Sequence, residues 1–346
     1  MKALIVKSPG TAVFEEVPTP VPQDDQLLVK VVRAGICGTD NAIYTGNSSF
    51  VRSGLIKYPV RIGHEWSGVV ERVGKAVTRF KPGDRVVSDN GVSCGNCPAC
   101  REQRYGECSN GQAVGTVNCW DGCFADYILM PERHVYPIAD HVSFEMAALA
   151  EPLSVANDGF RNVRLHAGSI IAVIGTGPIG MSAVALAKYY GAGKIIMVGR
   201  RENKLAVAAA VGATDTVNAT KTDAAEAVRA ISGGRGADLA LEISGSEAGL
   251  VSAINMTAPN GIISVIGFYE KDVCLPIDRL VVSAINLQSA TGAYGNLEAV
   301  ANIMGQYDLA LEPVITHRVR FDDCIEYLKN EEKYHNDKIK VMVEFD

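Results

Sequence analysis

Four cysteines crowd one stretch, as Cys94-Gly95-Asn96-Cys97-Pro98-Ala99-Cys100 and then Cys108. Thiolates at C-x2-C-x2-C-x7-C spacing can surround one Zn²⁺ tetrahedrally and leave no position open, which makes a structural site. Gly95 and Pro98 help the loop turn back on the ion. A redox pair, or four free thiols, is the other use of such residues. A second set is dispersed. Cys37 lies in Gly35-Ile36-Cys37-Gly38-Thr39-Asp40, His64 and Glu65 in Gly63-His64-Glu65-Trp66-Ser67-Gly68, and Glu151 in Glu151-Pro152-Leu153. One thiolate, one imidazole and one or two carboxylates would hold Zn²⁺ and leave room for water or substrate, as catalysis requires. Taken singly, each has an ordinary use: Cys37 as a small buried side chain, His64 as a core histidine, Glu151 as an acid at a helix start.

A third group is made of glycines. The apolar run Ile170–Ile174 meets Gly175-Thr176-Gly177-Pro178-Ile179-Gly180, followed by an Ala-rich helical stretch to about residue 190 and a second apolar run at 195–198. Strand, tight turn, helix and strand within about thirty residues is the context in which G-x-G-x-x-G binds a dinucleotide. Gly175 permits the turn, Gly177 lets backbone approach a pyrophosphate, and Gly180 lets helix and strand pack closely. Pro178 suits a first helical turn, and the helix start offers free N–H groups to phosphate. An NAD site places Asp or Glu after the second strand to bond the ribose 2′-OH. Here that position is Gly199, followed by Arg200 and Arg201. Room for a 2′-phosphate and two guanidiniums to bind it favour NADP(H) over NAD(H).

These groups need elements to hold them. Residues 1 to about 150 are rich in β-pattern and in Gly and Pro, with strands expected at 1–7, 26–34, 68–73 and Arg85–Ser88. Pro18, Pro20 and Pro22 mark an extended connection. From about 155 to 290 strands alternate with helices, at Ile170–Ile174, 195–198, 216–217, 239–243, 262–266 and 286–290, which is the pattern of a doubly wound parallel sheet. The last fifty residues mix helices at 297–307 and 321–330 with strands at 317–319 and 339–345. The composition is that of a globular chain, and 346 residues suffice for two domains. Net charge is −6 with no long basic run, which argues against nucleic acid as the main partner and against a zinc ribbon that reads it. No apolar stretch approaches the roughly eighteen residues of a membrane span. The first residues read as a strand rather than a signal peptide, and clustered cysteines without a secretory signal favour metal over disulfides and a cytoplasmic location.

Gly63-His64-Glu65 with Gly68 and Gly74, Cys37-Gly38-Thr39-Asp40, the four-cysteine loop, Glu151-Pro152-Leu153-Ser154-Val155 and Gly175–Gly180 occur together in one order. In them the chain resembles the zinc-dependent medium-chain dehydrogenases, in the polyol (sorbitol) dehydrogenase branch, over essentially all 346 residues. The resemblance implies a GroES-like β-rich catalytic domain at 1–154 with its zinc lobe at about 90–110. It implies a Rossmann domain at 155–290, and a return at 291–346 that completes the first domain. It implies one catalytic and one structural Zn²⁺. Cys37, His64 and Glu65 match the catalytic ligands, with Glu151 reaching zinc directly or through water. Thr39 matches the hydroxyl that takes the first proton, and Asp40 a carboxylate that orients the histidine. The implied reaction is hydride transfer between NADP(H), or NAD(H), and a secondary alcohol or ketone of a polyol, cyclitol or sugar derivative. Zinc would acidify the hydroxyl or polarise the carbonyl. A homotetramer or dimer is implied as well.

Three positions depart from the family pattern. Ala42 stands where an outer relay histidine often occurs, Ala293-Tyr294 where Arg often precedes Tyr in the polyol pocket, and Gly199 where Asp is usual. Trp66, Tyr44, Phe50, Thr116, Asn118 and Tyr294 are candidates to line the pocket. Cys119, Cys123, Cys274 and Cys324 lack ligand spacing and are expected to be small buried residues. His134, His141, His166, His317 and His335 are expected to be structural. Two rival functions remain open. One is amino-alcohol oxidation like that of threonine 3-dehydrogenases, which share Cys-Gly-Thr-Asp. The other is a non-catalytic dinucleotide-binding protein, which would be expected to lack zinc ligands.

Overall fold

The computed structural model describes residues 1–290 and 294–345. The chain divides into two compact units. One is formed by Met1–Glu151, Ala293–Gln306 and His317–Asp346, the other by Pro152–Gly292 and Tyr307–Thr316. The first opens with a hairpin of β1 (Lys2–Ser8) and β2 (Thr11–Glu16). The Pro18–Pro22 region carries no regular structure. Then come β3 (Gln26–Ile36), α1 (Gly38–Thr45), α2 (Ser49–Arg52), β4 (Glu65–Val73), β5 (Arg85–Ser88) and β6 (Gly91–Val92). They are followed by α3 (Pro98–Arg101), β7 (Gln112–Ala113), β8 (Tyr127–Pro131), β9 (Val135–Pro137), α4 (Phe144–Ala148) and α5 (Ala150–Asp158). β4 begins at Glu65 rather than at 68. A stretch holding Gly, His and Glu has weak strand character by itself, and antiparallel pairing with β3 supplies the rest.

The second unit runs β10 (Ile170–Ile174), α6 (Pro178–Tyr189), β11 (Lys194–Gly199), α7 (Glu202–Val211), β12 (Asp215–Asn218), α8 (Ala224–Ile231), β13 (Ala237–Glu242), α9 (Glu247–Met256), β14 (Thr257–Val265), α10 (Ile277–Val282) and β15 (Asn286–Ser289). Its six strands lie in the order β12-β11-β10-β13-β14-β15, all parallel. Every residue of β10 is buried, as expected of a central strand covered on both faces, and the reason its sequence is an unbroken apolar run. The order reverses between β10 and β13, which makes their carboxyl ends the topological switch point of the sheet.

After β15 the chain adds α11 (Leu297–Gln306), β16 (Ile315–Arg320), α12 (Cys324–Lys329) and β17 (Lys340–Glu344). A 3-10 turn at Phe321–Asp323 precedes α12, so the expected single helix at 321–330 is two short pieces. The sheet of the first unit is ordered β16-β17-β3-β4-β5-β9, with β8 also paired to β3. β17 lies antiparallel to β3, with Val341 opposite Ile36, so the chain's last strand sits beside the strand that leads to Cys37. The core of this unit includes Leu27, Val29, Val31, Ile62, Phe124 and Ile128.

Candidate active site and metal centres

Asp40 organises the first cluster. Cys37 is the N-cap of α1, and its N–H donates to Asp40 Oδ2 at 2.9 Å. Asp40 Oδ1 accepts from the Gly63 N–H at 3.0 Å and stands 3.6 Å from His64 Nδ1. One buried carboxylate thus ties the end of β3 to the segment that enters β4. A Cβ on Gly63 would lie 2.5 Å from the ring of Phe124, so only glycine lets the His64 segment lie on that fully buried ring. Burial alone would lower the His64 pKa; the charges of Asp40 and Cys37 outweigh it and hold the imidazole well above its ordinary value. Thr39 Oγ1 lies 3.7 Å from Cys37 Sγ.

Glu65 opens β4 opposite Gly35 of β3. A Cβ on Gly35 would fall 2.1 Å from Glu65 Oε2, so this glycine is the cradle in which the carboxylate lies. Lys340, the first residue of β17, donates to Glu65 Oε1 at 2.7 Å, to Oε2 at 2.5 Å and to the Ile36 carbonyl at 3.2 Å. Both side chains are almost wholly buried, at 1% and 2% exposure. Burial would lower the Lys340 pKa, and the charges of Glu65 and Cys37 raise it above the usual value instead. Sequence reading does not single out Lys340, because a lysine at the start of a strand looks like any solvated one; its sheet neighbour makes it part of the site.

The donor atoms of Cys37, His64 and Glu65 all lie within 4.8 Å of one another. Glu151 is not one of this close set. It is buried in the first turn of α5, and Asn90 Nδ2 donates to its Oε1 at 3.3 Å. Burial, with Glu65 nearby and against the pull of His64, pushes Glu151 up to about 7.

The four cysteines of residues 94–108 also converge within 4.8 Å. Their sulfurs approach to 3.4 Å (Cys97 to Cys100) and 3.9 Å (Cys94 to Cys100, Cys97 to Cys108). Four tetrahedral Zn–S bonds of ~2.3 Å would set sulfurs about 3.8 Å apart, so the loop fits zinc with little adjustment. The N–H of Cys100 lowers Cys97 to about 6, whereas burial pushes Cys108 up to about 11. Thiols this close titrate as one coupled set. His134 supports the loop: its Nε2 accepts from the Ser93 N–H at 3.0 Å, and its Nδ1 lies 3.3 Å from Asp89, which also accepts from the Tyr136 hydroxyl at 2.9 Å.

The remaining expected positions have their own surroundings. The Tyr294 ring covers Gly91, and its hydroxyl reaches the Gln112 carbonyl at 3.3 Å, so it braces the cysteine lobe. Its partner in the expected pocket pair, Ala293, lies outside the described residues. Trp66 follows Glu65 on a strand, so it points to the opposite face and joins the core. Tyr44 is buried and donates to the Gly10 carbonyl at 3.0 Å. Phe50 packs against the same core, Thr116 is buried, and Asn118 Nδ2 reaches the Gly111 carbonyl at 3.2 Å. Cys123 and Cys324 are buried and Cys119 is partly so, but Cys274 is exposed. It precedes α10 in a stretch without regular structure, where its neighbours Val273 and Leu275 pack against the core instead.

In the second unit, Gly175 carries φ 122°, and a Cβ on Gly180 would lie 1.9 Å from the Gly175 carbonyl oxygen. Around Gly177 nothing lies within 4 Å of an added Cβ, leaving the turn open where a phosphate would approach. Pro178 and Ile179 open α6. A Cβ on Gly199 would lie 2.4 Å from the Thr176 methyl, so a larger residue there would have to displace that side chain. Arg200 is exposed and Arg201 partly so. Among the described residues neither guanidinium has a hydrogen-bond or ion-pair partner.

Two family models match the chain: the alcohol dehydrogenase GroES-like domain over residues 23–140 and the zinc-binding dehydrogenase over residues 178–306. A sorbitol dehydrogenase from Bacillus subtilis (strain 168) is 32% identical over 344 residues, covering 99% of this chain and 97% of its own. An L-threonine 3-dehydrogenase from Bacillus licheniformis is 35% identical over 328 residues, covering 93% of each. Among solved structures, a zinc-binding dehydrogenase from Sinorhizobium meliloti 1021 bound to NADP has a TM-score of 0.88 at 29% identity, covering 99% of this chain and 98% of its own. An alcohol dehydrogenase from Escherichia coli CFT073 complexed with NADH has a TM-score of 0.89 at 26% identity, covering 100% and 99%. The chain belongs to the zinc-dependent medium-chain alcohol/polyol dehydrogenases. It is an NAD(P)-dependent zinc dehydrogenase with a GroES-like domain and a Rossmann domain. Among the described residues no helix is long and apolar enough to cross a membrane.

Proposed function

We propose that this enzyme moves a hydride between NADP(H) and a secondary alcohol or ketone of a polyol, cyclitol or sugar derivative, with catalytic zinc on Cys37, His64 and Glu65 and structural zinc on Cys94, Cys97, Cys100 and Cys108. The convergence of a thiol, an imidazole and a carboxylate in one buried cluster supports the catalytic site most strongly. Zinc bound there supplies a Lewis acid for the substrate oxygen, and the nicotinamide supplies or accepts the hydride. The protein does the holding. Asp40 faces His64 Nδ1 and leaves Nε2 as the available donor. The Lys340 ammonium offsets the Glu65 carboxylate, so thiolate and carboxylate together do not cancel the charge of a divalent ion. Glu151 is close enough to feel His64 and Glu65 and serves as a further carboxylate, directly or through water. Thr39 takes the first proton, and with Ala42 beyond it the proton passes on to water. The division into 1–154, 155–290 and 291–346, a cytoplasmic location and a homo-oligomer belong to the same proposal. Exposed Ile277, Val281 and Val282 of α10 and Leu287 of the edge strand β15 support the last.

Gly199 and the unspent guanidiniums of Arg200 and Arg201 support NADP(H). Arg200→Ala is expected to weaken NADPH binding by roughly 1.5–3 kcal/mol, the value of a hydrogen bond to a charged group, and to leave NADH little changed. Equal binding of the two cofactors by the unmutated enzyme, measured by fluorescence titration, would remove the basis for NADP. Assay with enantiomeric polyols, cyclitols and L-threonine, after metal analysis showing two zinc ions per chain, tests the substrate class. Turnover of threonine alone would replace the polyol reading with amino-alcohol oxidation.

A further inference from the structure

The most completely buried acid of the second unit has no part in the function described so far. Glu242 ends β13 and is wholly buried. No ion pair of the described residues includes it. Its Oε1 accepts from the Ser244 N–H at 2.9 Å and from the Ser244 hydroxyl. Its Oε2 accepts from the Tyr269 hydroxyl and, at 3.3 Å, from the Gly245 N–H. A buried acid without a cation is costly unless every lone pair it presents is used, and here four donors from two loops converge on it.

Its place in the sheet gives those bonds meaning. Glu242 pairs with Ile174, the residue before the glycine turn, at the switch point between β10 and β13. A Cβ on Gly175 would lie 3.0 Å from the Ser244 nitrogen, so the loop held by the carboxylate packs against the phosphate-binding turn. The Ser244 hydroxyl lies 2.8 Å from that of Ser246, which caps α9 by accepting from the Gly249 N–H at 3.1 Å. Tyr269 brings in the loop after β14. Glu242 therefore joins the loops that follow β13 and β14, the first two strands of the half-sheet that does not carry the glycine turn. In a doubly wound sheet each half serves one mononucleotide. Adenosine belongs to the half with the glycine turn and Arg200, which leaves the nicotinamide to the half governed by Glu242.

Resting on the dinucleotide reading above, we propose that Glu242 is a positioning residue for the nicotinamide half of the cofactor. It fixes the loops after β13 and β14 through Ser244 and Tyr269 and, being wholly buried, does not touch the ligand. Glu242→Gln keeps size but turns one acceptor into a donor, so one of the two loops loses its anchor. Tyr269→Phe removes a single bond from a half-buried ring and answers the question if the first variant does not fold. Affinities for NADPH and for 2′,5′-ADP, which carries only the adenosine half, are measured by titration calorimetry alongside the melting temperature. The expected result is NADPH binding weakened about tenfold, the order of one hydrogen bond's net worth, with 2′,5′-ADP binding unchanged. Two results overturn the proposal: a lower melting temperature with both affinities unchanged, or equal weakening of both ligands. Failure of the unmutated enzyme to bind NADPH, NADH or 2′,5′-ADP would instead remove the dinucleotide reading, and the proposal with it.

Discussion

The two donor clusters lie in the same unit and are built by opposite means. The cysteine loop draws all its sulfurs from residues 94–108, and they converge through local turns, a short helix capped by Cys97 and the bracing of His134 and Tyr294. The Cys37, His64 and Glu65 cluster is assembled from the end of β3 and the entry to β4. It is held by two charges from elsewhere: Asp40 on α1, and Lys340 at the start of β17. Cys94 and Cys97 are partly exposed, whereas His64 and Glu65 are buried at 4% and 1% exposure. A local cluster needs backbone spacing and little else. A dispersed one needs sheet register and buried countercharge, and it places its donors where burial magnifies their electrostatic effect.

The contrast breaks most visibly at the dispersed site. Cys37→Ser is expected to reduce turnover by about 10³-fold, the upper end of the range for one lost electrostatic stabiliser, with circular dichroism and melting unchanged. Retained turnover would mean that the chemistry lies elsewhere. Lys340→Met tests whether countercharge holds this site: in zinc-free protein, leaving Glu65 buried without its cation should cost about 3–5 kcal/mol of stability, read by denaturant titration. An unchanged midpoint would show that Glu65 needs no buried partner. Cys100→Ser sharpens the comparison from the other side. Opening the closed loop should lower melting by about 5–10 °C, corresponding to roughly 2–3 kcal/mol in a unit of this size, while turnover per folded molecule changes far less than in Cys37→Ser. If Cys100→Ser abolished turnover and Cys37→Ser only lowered melting, the two sites would have been assigned the wrong way round.

Legibility followed the same divide. The cysteine loop and the Gly175–Gly180 turn can be read because donor spacing and the strand–turn–helix context are local. The alternation of the second unit is legible for a similar reason: strands such as β10 are buried on both faces and must be apolar throughout. In the first unit β3 and β5 were legible, but β4 starts three residues earlier than its pattern suggests, and that extension sets Glu65 against Gly35. That Trp66 joins the core emerges only once this strand, with its alternating faces, is in place.

By itself, the order of residues determined the fold class, the closed four-sulfur loop, the dinucleotide turn and the absence of a carboxylate at Gly199. Each depends on neighbours within a few turns of chain. Only the tertiary structure decided that Lys340 grips Glu65 across more than 270 positions, that Glu151 stands outside the close trio, and that Glu242 ties two loops together. The physical reason is that burial and countercharge belong to neighbours in space, and sheet register, which chooses those neighbours, is settled only when the strands meet.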